Sequence, residues 1–134
     1  MNSERGISSQ ITFLYFDDMI SVIPFFEETL KLELVTEQDA ARIYCMAGSA
    51  FIGIVDGNVR HWRPKNENAV LITLVVDDVQ GWYDYLKAKG IKLLTGIQKP
   101  KIAPVECFFF EGPGGYAFEI QKFLNPAVAM HFGG

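Results

Sequence analysis

The residues of this chain best suited to hold a metal or move a proton are two histidines and two cysteines, and their spacing does not bring them together. His61 falls in a polar stretch and His131 lies close to the C-terminus, whereas a metal site needs several ligands converging on one point. Cys45 and Cys107 each sit inside an apolar run of β-like residues, and both read as buried free thiols of a reducing compartment. Gly112, Gly114 and Gly115 lack the strand-to-helix context of a phosphate loop and read as a hairpin turn. The run Arg60-His61-Trp62-Arg63 could bind an anion, but its simpler reading is a solvated loop.

Composition narrows the classes. The chain has 134 residues, 49% of them hydrophobic and 21% charged, with 11 Phe, 5 Tyr and 2 Trp. A chain of this length buries roughly two-thirds of its unfolded surface and folds without staples. The values exclude a disordered, coiled-coil or collagen-like chain. A net charge of −4 and the lack of a basic stripe argue against a nucleic-acid partner. No apolar run approaches the ~20 residues of a membrane span. The first residues, Met-Asn-Ser-Glu-Arg-Gly, do not resemble a signal peptide. A cytoplasmic location is the expectation.

The elements that must position any site recur in one order. Residues 11–16 are rich in β-branched and aromatic types and read as a strand, which Asp17-Asp18 stops. Apolar residues at 22, 23, 26 and 30 have helical spacing, and Pro24 requires that helix to begin close to Ser21. Strands are expected at 33–36, 42–47 and 50–55. The order then repeats: a strand at 70–76, Asp77-Asp78, a helix over 79–89 ended by Gly90, and strands near 92–95, 106–110 and 116–122. Sliding the chain by 60 residues lays Leu14 on Leu74, Asp17-Asp18 on Asp77-Asp78 and Leu34 on Leu94. The expectation is an α+β chain of two βαβββ modules. They span 10–57 and 69–122 within a single domain, with a linker at 58–68 and a tail at 123–134.

A pair of βαβββ modules of this size resembles the vicinal oxygen chelate superfamily, which holds glyoxalase I, extradiol dioxygenases and bleomycin-resistance proteins. Three stretches carry the resemblance. Phe16-Asp17-Asp18 leads into Phe25-Phe26-Glu27-Glu28-Thr29-Leu30, and Leu74-Val75-Val76-Asp77-Asp78 opens the second module. The run from Gly112 through Tyr116 to Glu119-Ile120 is similar to the family's closing hairpin. The resemblance implies two curled sheets around a cleft. It also implies a divalent metal held by one residue from the first and last strand of each module, with positions open for substrate oxygens. Those positions fall on Ile11, Gly53 or a neighbour, Leu71 and Glu119. Only Glu119 is a metal ligand by type.

Because strands alternate faces, residues in phase with these positions are expected to line the cleft. They are Ile11, Phe13 and Tyr15; Phe51, Gly53 and Val55; Leu71, Thr73 and Val75; and Ala117, Glu119 and Gln121. The lining is apolar and aromatic, with few polar groups, and suits a small, partly aromatic ligand. The same residues could instead fill a closed core. A carboxylate on such a face needs a partner or water. Glu119 is read as a counter-charge for a cationic ligand, as a general base, or as a residue held by Tyr15 or Thr73. No second acid or base stands beside it, so no catalytic residue is assigned.

The favoured reading is a metal-free, homodimeric small-molecule binder of the bleomycin-resistance type, with no cofactor and no membrane partner. The apolar tail, with Phe123, Leu124, Val128, Met130 and Phe132, would be covered by the second subunit. The alternatives are a metal-dependent lyase or dioxygenase with divergent ligands, and a regulatory module for a metabolite.

Overall fold

The computed structural model describes residues 5–58, 64, 67, 69–101 and 104–133. It divides into two compact units, residues 1–65 and 66–134. Each contains one four-stranded mixed sheet with a helix after its first strand. The α+β class and the two βαβββ modules are those expected from the sequence.

The first unit runs β1 (Gln10–Phe16), α1 (Met19–Pro24), a π-helical turn (Phe25–Thr29), β2 (Glu33–Gln38), β3 (Ala41–Ala47) and β4 (Ala50–Asp56). Its sheet order is β1-β4-β3-β2, with β1 and β4 parallel and the other pairs antiparallel. Asp18 caps α1, its Oδ1 accepting from the Ser21 amide at 3.3 Å. The helix therefore starts two residues earlier than Pro24 alone suggests, and Pro24 lies inside it. Proline offers no amide to the preceding turn and crowds its carbonyl. The next turn widens instead, with the Leu30 amide reaching back five residues to Phe25 O at 2.9 Å. Lys31 then reverses the chain at φ 56°, a left-handed conformation that costs a side-chain-bearing residue about 1 kcal/mol.

One face of this sheet is sealed by the helix. Leu14, Phe16, Ile52 and Ile54 pack with Val22, Phe25, Phe26 and Leu30. The Phe26 ring stacks on Tyr44 at 5.8 Å and meets the edge of Phe25 at 5.0 Å. A polar clamp closes the margin: Glu27 Oε2 accepts from Arg42 and from the Tyr44 hydroxyl, each at 2.8 Å.

The second unit repeats the plan with β5 (Leu71–Val75), α2 (Val79–Ala88), β6 (Lys92–Leu93), β7 (Val105–Glu111) and β8 (Ala117–Phe123), in the order β5-β8-β7-β6. Asp78 Oδ1 accepts from the Gly81 amide at 2.9 Å, matching Asp18 sixty residues earlier. Gly90, at φ 79°, ends α2 as expected. Val79, Tyr83 and Leu86 cover Phe108, Phe110, Phe118 and Ile120, with Tyr83 edge-on to Phe108 at 5.1 Å.

Two expectations change here. Strand β6 stops at Leu93 instead of residue 95, because the Thr95 hydroxyl accepts the Phe109 amide at 3.0 Å and takes over the ladder. The tail also carries structure that its composition did not suggest. Asn125 caps a short helix α3 (Pro126–Ala129), followed by a 3₁₀ turn (Met130–Phe132). Phe132 stacks on Phe123 at 4.7 Å, so the tail covers part of its own strand, while Met130 stays exposed. No helix among the described residues is long and apolar enough to cross a membrane.

Burial, and then the hydrogen bond to Glu27, push the Tyr44 hydroxyl well above its ordinary value. Above about pH 10 the unfolded chain loses this proton while the folded chain keeps it, so stability falls as pH rises. Tyr44→Phe is expected to cost about 1 kcal/mol at pH 7, discounted for the partial exposure of Glu27, and to flatten the alkaline loss of stability. Urea denaturation between pH 7 and 11 measures both effects. An equally steep alkaline limb in the variant would contradict the assignment.

Candidate ligand-binding site

A four-stranded sheet has two faces, and each helix covers only one. In the first unit the other face carries Ile11 opposite Phe51, Phe13 opposite Gly53 and Tyr15 opposite Val55, in the parallel register of β1 and β4. Ile11 and Phe13 are exposed, at 41% and 42%, and Tyr15 and Phe51 are half-buried. Val55 departs from the expected lining, since it is buried beside Ala41. Phe13 lies over Gly53 so closely that a methyl group there would overlap Cδ1 and Cε1 of the ring. Glycine at 53 is what lets the ring rest on the strand. Strand β3 adds Ile43 and Cys45, opposite Gly53 and Phe51. Cys45 is half-buried and not enclosed as its apolar run suggested.

In the second unit the same register places Leu71 opposite Ala117, Thr73 opposite Glu119 and Val75 opposite Gln121. Leu71 and Val75 are exposed, whereas Glu119 is the buried charged residue among the described residues, at 6%. Two side chains of its own unit donate to it. The Thr73 hydroxyl reaches Oε1 at 2.8 Å, and the Gln121 amide reaches Oε2 at 3.2 Å. The Cys107 thiol lies near the same carboxylate; burial, and then the proximity of Glu119, push its pKa up. The partner expected in Thr73 is present. Cys107 and Phe109 belong to the same face, opposite Gln121 and Glu119, and were missed because only outer-strand positions were traced. Their alternation with the core residues Phe108 and Phe110 was the available signal.

The donor set does not suit a divalent cation. Ile11 and Leu71 offer hydrocarbon and Gly53 offers no side chain, which leaves Glu119 as the one metal-type group at these positions. Among the described residues no three His, Cys, Asp or Glu side chains gather to hold a metal ion. His131 lies exposed in the 3₁₀ turn of the tail. His61, Arg60, Trp62 and Arg63 lie outside the described residues.

A family model described as the Glyoxalase/Bleomycin resistance protein/Dioxygenase superfamily matches residues 9–120, which span both sheets. The chain belongs to this superfamily. Solved structures agree on the fold. A glyoxalase/bleomycin resistance protein/dioxygenase from Nocardioides superposes with a TM-score of 0.76 at 15% identity, over 93% of this chain and 88% of that one. A lactoylglutathione lyase from Agrobacterium tumefaciens gives 0.71 at 17% identity, over 87% and 95%. The fosfomycin resistance protein FosX from Listeria monocytogenes gives 0.68 at 15% identity, over 91% and 94%. A comparison with curated proteins finds no significant match. Identities this low show a shared glyoxalase-type fold and nothing of substrate.

If Gly53 exists to seat the Phe13 ring, Gly53→Ala should destabilise the protein by about 1–3 kcal/mol, the usual cost of overpacking. Adding Phe13→Ala should recover most of that loss, because the clash disappears with the ring. A double-mutant cycle in urea measures the coupling; additive effects would show that the two residues do not interact.

Proposed function

We propose that this superfamily member is a metal-free small-molecule-binding protein that holds a partly aromatic ligand against its apolar sheet faces. One observation carries the reading. Of the family's four ligand positions, Ile11, Gly53 and Leu71 carry no ligand group, and Glu119 is held by Thr73 and Gln121. The aromatic residues Phe13, Tyr15 and Phe51 supply a surface on which a flat ligand can stack. Exposed large apolar residues on a register-matched face mark a contact surface more often than a solvated one. Part of such a face can be covered by a second subunit, and a homodimer belongs to this proposal.

The neutral fluorophore N-phenyl-1-naphthylamine tests the reading directly. Its emission should rise saturably with protein and be unchanged by EDTA. Phe13→Ala should weaken its affinity roughly 3- to 10-fold, the value of one aromatic contact. Loss of binding in EDTA, or a signal that never saturates, would overturn the proposal.

A further inference from the structure

Glu119 poses a problem that its neighbours solve only in part. A carboxylate at 6% exposure has lost most of its hydration, a large cost unless donors or a cation replace the water. Its donors are a hydroxyl and an amide, both neutral. The ion pairs among the described residues are Arg42 with Glu27 and Glu37, and Lys92 with Glu111; none involves Glu119. The oxygens offer about four lone-pair sites, so the two donors leave room for a further one. The apolar neighbours on this face are Leu71, Val75, Ala117 and Phe109, and towards its edge Glu111, opposite Ala117, is paired with Lys92. This environment weakens screening and raises the value of any charge brought to it.

We propose that Glu119 anchors the ligand by its positive group, an ammonium or amidinium on a flat apolar body. The inference rests on the binding reading above and names the ligand class for it. A charge-assisted hydrogen bond from the cation takes a remaining lone-pair site, and the apolar neighbours receive the ligand body. The residue that the family uses toward a metal thus meets an organic cation in this chain. A neutral ligand of the same shape leaves the buried charge uncompensated and binds more weakly.

Benzamidine and benzamide have nearly the same shape and differ in charge, so the pair isolates the effect. Ligand-observed NMR titrations should give benzamidine roughly tenfold or tighter binding than benzamide. Glu119→Gln should erase that preference. Should the variant fail to fold, salt decides with the wild-type protein. A preference set by buried Glu119 survives 0.5 M NaCl, whereas one set by the net acidic surface collapses. Equal binding of the two compounds, no binding of benzamidine, or a preference that is lost in salt or kept in Glu119→Gln would each overturn the inference. The naphthylamine titration in EDTA separates the two levels. If it succeeds while benzamidine shows no preference, the cation assignment fails and the binding reading stands.

Discussion

The parallel pairing of the first and last strands within each module fixes everything that follows. In a βαβββ unit the two strands that lie side by side are the farthest apart in sequence, and the helix between them can cover only one face. Which residues meet on the open face is then a question of register. In one sheet the register brings Phe13 to Gly53; in the other it brings Thr73 to Glu119. These are corresponding positions of a repeated frame. One carries a ring resting on bare backbone, and the other a buried carboxylate caged by donors. The fold supplies equivalent places and the side chains decide what chemistry occupies them.

The covered faces are organised by aromatic packing, Phe26 on Tyr44 in one unit and Phe110 on Phe118 in the other. Both helices begin on an aspartate that ends the preceding strand, so strand and helix directions are tied at one residue. That rigidity lets the open faces depart from good core practice. Exposed Ile11, Phe13, Leu71 and Val75 lower solubility and contribute little to stability. They share one phase of the edge strands β1 and β5, on the faces that the helices leave open. Glu119 fits the same logic, since a carboxylate that only served stability would do better at the surface.

Much of this was legible in the sequence because the signals were local and repeated. Asp18 and Asp78, the apolar alternation of the outer strands, and Gly90 after the second helix each announce their element. The open-face residues followed from parity once the outer strands were paired. What escaped depended on contacts distant in sequence or on compensation. Pro24 predicted a late helix start, but a π-helical turn absorbed it. Val55 shared the phase of the lining yet is buried, and Thr95 left its strand to bond the Phe109 amide. Cys107 and Phe109 were hidden because they lie on β7, whereas only the first and last strands of each module were traced. The tail helix had a readable start in Asn125-Pro126, overlooked beside its apolar composition.

The central claim is that Glu119 is held by hydrogen bonds within its own unit and is not a metal ligand. Elemental analysis of the untagged protein tests it most directly, before and after incubation with Zn, Ni, Mn and Fe(II) followed by removal of unbound ion. The account predicts far less than one metal per chain under every condition, with no difference between the wild type and Glu119→Gln. About one metal per chain, lost in Glu119→Gln, would contradict it and return the chain to the metal-dependent lyases and dioxygenases of its superfamily.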